Sequence, residues 1–217
     1  MTILIVRNSE TAPEGDFGEW LTRQGHAVEV VAGDAVTPAQ MRDAPLVIMF
    51  GSPRGVYETE IPWIAAQRAM VADRLAAQRP TIGICFGAQM MAVAAGGTVQ
   101  RHPDGVFHRG WLGIDDTTDP ILHGPWPRWH GDVITPPPQA EVIARDAGTV
   151  QAFQLSNAVA VQFHPEATPD IMRGWAARTP DGVVDRDALD AQSHRLFNER
   201  RDARETLFAD LLRRAGT

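Results

Sequence analysis

The chain has 217 residues, a formal net charge of −7 and one cysteine, with 44% apolar and 22% charged residues. That length and apolar fraction suffice for a core, and a lone cysteine excludes an internal disulfide and any structural zinc site built on cysteine pairs. All 20 basic residues are arginine, which excludes lysine Schiff-base chemistry and the lysine-dependent phosphate loop, and an acidic chain is a poor general binder of nucleic acid.

Ile3 to Val6 reads as a buried strand. Glu14 to Gln24 reads as a helix with Phe17, Trp20 and Leu21 on one face, ended by Gly25. Ala27 to Val31 and Leu46 to Phe50 read as further strands, the latter stopped by Gly51-Ser52-Pro53. A helix is expected over 61–78, with Pro62 in its first turn, then a strand from Thr81 to Ile84 and a helix from Phe86 to Ala95. From Gly96 to Phe163 the chain is rich in Gly and Pro, which suggests short antiparallel excursions and loops, closed by a strand from Ala158 to Phe163. Asp185 to Ala215 is mostly helical by its apolar spacing and is expected to pack on its own domain. The βαβα rhythm predicts an α/β fold with a mainly parallel central sheet, helices on both faces and an antiparallel excursion. No repeat or linker divides the chain, so one domain over 1–217 is expected, with the helical tail from about 185. The apolar run after Thr2 is too short for a signal peptide and no run approaches the roughly 20 residues of a membrane span, so the expectation is a cytoplasmic protein.

In such sheets ligands bind where the strands run out. Two strand ends carry chemistry. Gly83-Ile84-Cys85-Phe86-Gly87 is a nucleophile-elbow pattern with cysteine in the nucleophile's place. Its glycines permit a sharp turn, and the start of the next helix offers free N–H groups to a thiolate or a developing oxyanion. Gln162-Phe163-His164-Pro165-Glu166 follows the last strand. His164 is a candidate general base, and Glu166 can accept the far imidazole N–H and fix its tautomer. Each motif alone also fits a structural residue, a small core cysteine or a turn histidine. Together they are far more specific.

The pair, preceded by Phe50-Gly51-Ser52-Pro53 and extended by Ala88-Gln89, resembles the class I (triad-type) glutamine amidotransferase family. The resemblance covers roughly residues 1–170, and within the family the chain most resembles stand-alone proteins similar to the glutaminase domain of GMP synthetase. Trp129-His130-Gly131-Asp132 and Gln151-Ala152-Phe153 support that closer likeness. It implies a flavodoxin-like fold and hydrolysis of the side-chain amide of L-glutamine through a Cys85 glutamyl thioester. His164 would serve as base and acid, with Glu166 orienting it. The backbone N–H groups of Ser52 and Phe86 would form the oxyanion hole, and Gly51, Gln89, Trp129, Gly131 and Asp132 would bind the substrate. It implies no metal or organic cofactor and a separate ammonia-accepting synthase as a possible partner. One departure is Gly51-Ser52-Pro53, where relatives usually carry two glycines before the proline. If this loop must flip to present an N–H, serine carries a steric cost that glycine avoids, which predicts slow turnover until something sets the loop.

Two rival functions use the same residues. One is a free-standing hydrolase of γ-glutamyl amides or peptides, which would need no partner. The other is a regulatory or binding subunit with little turnover, against which the intact Cys85, His164 and Glu166 argue. The remaining histidines, His26, His102, His108, His123, His130 and His194, show no tight metal-ligand spacing. Trp111, Trp126 and Trp129 are candidates for an active-site wall, although core or hairpin packing suits Trp111 and Trp126 better. The mixed charges of Arg195 to Arg201 read as a solvated helix face.

Overall fold

A computed structural model of the chain describes residues 2–146 and 149–217. In chain order the first half runs β1 (Thr2–Arg7), α1 (Gly15–Arg23), β2 (Ala27–Ala32), α2 (Pro38–Asp43), β3 (Leu46–Met49), α3 (Pro62–Ala76), β4 (Thr81–Ile84) and α4 (Phe86–Ala94). The second half runs β5 (Thr98–Arg101), β6 (His108–Ile114), β7 (Gly124–His130), β8 (Asp132–Thr135), β9 (Glu141–Asp146), β10 (Thr149–Leu155) and β11 (Ala158–Val161). Three helices end the chain, α5 (Pro169–Ala177), α6 (Arg186–Glu199) and α7 (Arg201–Arg214).

The main sheet has the order β2-β1-β3-β4-β11-β10-β9. The first five of these strands pair in parallel, whereas β10 and β9 turn back antiparallel. Two antiparallel ribbons, β5–β8 and β6–β7, make up the excursion between α4 and β9. The expected α/β architecture, mainly parallel with antiparallel additions, is therefore what the chain adopts.

The period of two along each strand sorts side chains to the two faces of the sheet. On β1, Ile3 and Ile5 join Phe17, Trp20 and Leu21 of α1 and Leu207, Phe208 and Leu211 of α7 in one core layer. Leu4 and Val6 join Ile64 and Val71 of α3 and Met90 and Met91 of α4 in the other. Because both faces are covered, the central strands are continuously apolar. The tail packs on this core. Phe208 stacks on Phe17 with ring centroids 4.3 Å apart, and the buried Arg204 donates from Nε to Oδ2 of Asp16 at 2.5 Å.

Three local features go beyond the sequence reading. The tail is two helices: Arg200 leaves helical geometry at φ −101°, ψ 17°, donates to the His123 carbonyl and lies over the Trp126 ring. Helix α2 starts from a Thr37–Gln40 capping box. Helix α5 starts with Thr168 as its cap and Pro169 in its first turn, and packs with α6 in a satellite cluster that includes Trp111 and Trp175. No helix among the described residues is long and apolar enough to cross a membrane.

Candidate active site

Strands β4 and β11 lie side by side in parallel register, so their carboxyl ends deliver Cys85 and the segment through His164 to one edge of the sheet. Cys85 adopts φ 51°, ψ −105°, an unusual backbone for a side-chain-bearing residue, and its N–H donates to the Val161 carbonyl at 2.9 Å. The flanking glycines serve a different purpose from the turn freedom expected of them. Neither has a positive φ. A Cβ on Gly87 would lie 2.3 Å from the Met49 carbonyl oxygen, and one on Gly83 2.6 Å from the Met91 sulfur. Glycine there lets the first turn of α4 approach β3 and β4, and the turn's strain is carried by Cys85 itself.

His164 is held from two sides. Its backbone N–H donates to the Pro127 carbonyl at 2.8 Å, and its Nδ1 donates to Oε1 of Glu166 at 2.7 Å. That tautomer leaves Nε2 for Cys85. Both His164 and Glu166 are buried. Burial alone lowers the pKa of His164, but the negative charge of Cys85 and that of Glu166, with hydrogen bonds to both, push it up to about 10. While Cys85 is a thiolate, the imidazole therefore keeps its proton at neutral pH. Oε2 of Glu166 finds no hydrogen-bond partner among the described residues.

Cys85 and His164 open onto a cavity of about 280 Å³, a size suited to a small metabolite. Of the other residues singled out by sequence, Ser52, Gln89, Trp129, Gly131 and Asp132 line it. Gly51 lies beneath, where an added Cβ would come within 3.1 Å of Cε1 of His164 and 3.9 Å of the Cys85 Cβ. Phe86 is buried as the first residue of α4, so its N–H has no acceptor within the helix. The Ser52 hydroxyl accepts from the Arg54 N–H at 3.1 Å. Buried Gln89 donates from Nε2 to Oε1 of Gln162 at 3.2 Å. Tyr57 donates to Oδ1 of Asp132 at 3.3 Å, and burial raises the pKa of Asp132 in spite of nearby Arg101.

Trp129 belongs to the cavity wall, whereas Trp126 is in the core against Phe163 and Trp111 donates to the Ser193 hydroxyl beneath α6. Trp175, Tyr57, Arg101 and Arg178 also line the cavity, and the sequence reading named none of them. The cap-and-proline start at Thr168-Pro169 was the available signal for α5, which brings Trp175.

The family model for "Glutamine amidotransferase class-I" matches residues 19–174. The chain belongs to the class I glutamine amidotransferase family. Among curated relatives, the GMP synthase [glutamine-hydrolyzing] of Pyrobaculum aerophilum is 32% identical over 164 residues, covering 70% of this chain and 31% of that protein. That of Nitrobacter hamburgensis is also 32% identical, covering 71% and 32%. The chain thus spans about a third of the length of these relatives. The crystal structure of a glutamine amidotransferase from Thermotoga maritima superposes with a TM-score of 0.85 at 22% identity, over 100% of this chain and 99% of that one. One from Methylobacillus flagellatus gives 0.83 at 23% identity, over 98% and 94%. These two share the fold. As a glutamine amidotransferase, the chain is an enzyme, with the elbow cysteine and its histidine inside the matched span.

Proposed function

We propose that this amidotransferase hydrolyses the side-chain amide of L-glutamine and delivers the ammonia to a separate synthase chain. The observation that carries this reading is the Cys85 elbow opening into the same cavity as the His164–Glu166 pair, with Nδ1 to Oε1 at 2.7 Å. The Cys85 thiolate attacks the side-chain carbonyl carbon, and the oxyanion is taken up by the N–H groups of Ser52 and Phe86. Each such donor is worth roughly 100- to 1000-fold in rate. His164 gives its proton to the departing nitrogen, which leaves as ammonia, and the glutamyl group stays on sulfur as a thioester. Neutral His164 then takes a proton from water, the hydroxide attacks the thioester, and glutamate leaves as the thiolate re-forms. Glu166 keeps the imidazole in the tautomer that serves both steps. Asp132, a half-buried carboxylate in the wall, receives the substrate's α-ammonium group.

The test is glutamate release from L-glutamine by the purified protein, with Cys85→Ala as the control and a panel of γ-glutamyl amides alongside. Turnover of glutamine that Cys85→Ala abolishes supports the reading. Turnover of the panel with none of glutamine overturns it in favour of a γ-glutamyl hydrolase.

A further inference from the structure

Three hydrogen bonds anchor His164: its N–H donates to the Pro127 carbonyl, its carbonyl accepts from the Ala167 N–H, and its Nδ1 donates to Glu166. Only the last holds the ring itself, and an aromatic side chain meets the ring as well. The Trp175 and His164 ring centroids are 4.7 Å apart, with the planes tilted by 59°. Trp175 lies near the end of α5, with Met172 and Ala176 buried on the same helix. Its Nε1–H donates to the Thr11 carbonyl at 2.6 Å, and its ring lies 5.8 Å from that of Trp129. The indole is thus fixed on both sides before it meets the imidazole. Gly51 closes in on the ring from Cε1.

We propose that Trp175 is a positioning residue for His164, holding the imidazole in line with Cys85 and stabilising its protonated form through the aromatic ring. An indole is the best of the aromatic partners for a cation, and the effect grows where water is excluded. His164 is buried, so the contact acts on a desolvated charge. The other titratable and charged groups around His164 are Cys85, Glu166, His130 on β7 and Arg178 at the end of α5 in the cavity wall. Burial drives the pKa of His130 down to about 3, so it stays neutral and does not supply the titration. The proposal rests on the reading of Cys85 and His164 as nucleophile and base, and its test does not require glutamine.

The experiment follows alkylation of Cys85 by iodoacetamide across pH, since the lone cysteine makes the readout specific. Trp175→Leu and Trp175→Met remove the ring, while Trp175→Phe keeps a smaller ring and loses the bond to Thr11 with the pyrrole half of the indole. Melting temperatures establish that each variant is folded, and Met, unbranched and more adaptable at about the same volume, is the second choice should Leu fail. The aliphatic variants are expected to alkylate about 3- to 30-fold more slowly at neutral pH, with the rise in rate moved to higher pH, and Phe to stay within about 3-fold of the parent. On glutamine, kcat falls more than KM rises in the aliphatic variants. A folded aliphatic variant with the parental alkylation profile overturns the proposal, as does a Phe variant as impaired as Leu. The expected profiles together with turnover of γ-glutamyl amides and none of glutamine support the role of Trp175 and refute glutamine as the substrate.

Discussion

The Nδ1 of His164 donates to Oε1 of Glu166 across 2.7 Å, two residues along the chain and almost wholly out of solvent. Pro165 stands between them and stiffens the turn that lets so short a spacing close. The backbone of the same turn is also in use, because the Glu166 carbonyl accepts from the Asp16 N–H at 3.0 Å. The orienting carboxylate is therefore fixed to α1 as well as to the imidazole, and the geometry of the base is built into the frame of the domain.

Glu166→Gln is expected to lower kcat by roughly 100- to 10,000-fold, as loss of the orienting carboxylate does in serine protease triads. It also changes the response to pH. In the folded protein His164 titrates near 10 against an ordinary value of 6.5. A raised value means that the imidazolium contributes stability in full below about 6.5, and that this contribution fades as pH rises through about 10. Melting temperature should fall across that window in the parent and fall less steeply in Glu166→Gln. Parallel curves would remove Glu166 as a cause of the shift.

Ser52 stands where the resemblance to the family implies a second glycine, and its hydroxyl accepts from the Arg54 N–H, which closes a turn over the proposed oxyanion donor. Ser52 has no positive φ in this structure. Moving it there costs about 1–2 kcal/mol for a residue with a Cβ, or about 10-fold in rate. Ser52→Gly should therefore speed glutamine turnover of the protein without its partner by about 10-fold. Steady-state glutamate release measures this. A parent that turns over as fast alone as with a partner refutes the idea that serine restrains the loop.

Much of this was legible in the sequence because it lay in local pattern. Apolar runs located β1, β3 and β4, with a glycine stop after β3, and Cys85 and His164 stood at strand ends, where a parallel sheet gathers its chemistry. What was hidden depends on tertiary partners. Arg74, Arg128 and Arg204 are buried among 20 arginines that look alike in sequence. Arg74 is bound by the Met41, Ala44 and Pro80 carbonyls and the Thr81 hydroxyl, which come from separate segments. Trp175 gains its meaning only when α5 folds over the site. The flanking glycines of Cys85 were read correctly as necessary, but for turn freedom instead of close packing against Met49 and Met91.

The Asp132 carboxylate has one hydrogen-bond partner among the described residues, the Tyr57 hydroxyl at 3.3 Å across the mouth of the cavity. As the proposed acceptor for the substrate ammonium, it would make a charge-assisted bond of about 1.5–3 kcal/mol. Asp132→Asn should raise KM for glutamine by roughly 10- to 100-fold and alter kcat much less, because the contact is made equally in ground and transition states. Tyr57→Phe removes only the rim contact and should change KM by about 3-fold or less. An Asp132→Asn enzyme with unchanged KM and reduced kcat would place the carboxylate in the chemistry and not in recognition.

The ion pair between Arg204 and Asp16 joins α7 to α1 with both side chains buried, and Arg204 also donates to the Phe197 carbonyl and lies 3.8 Å from the Phe197 ring centre. Removing one member of a buried pair costs about 3–5 kcal/mol when the other charge is left alone, and here, among the described residues, Asp16 keeps only the half-exposed Arg23 at 3.6 Å, so the cost is up to that amount. Arg204→Ala should therefore lower unfolding free energy by up to that amount in a urea titration. Arg201→Ala, on the exposed side of the same helix, should change it by less than about 0.5 kcal/mol. Because Asp16 also binds the Glu166 carbonyl through its backbone, loosening α1 should reach the site, and Arg204→Ala should lose glutaminase activity at a lower urea concentration than the parent. If Arg204→Ala matches Arg201→Ala in stability, the pair does not hold the tail to the core, and the stacked Phe17 and Phe208 rings with their apolar neighbours carry the contact instead.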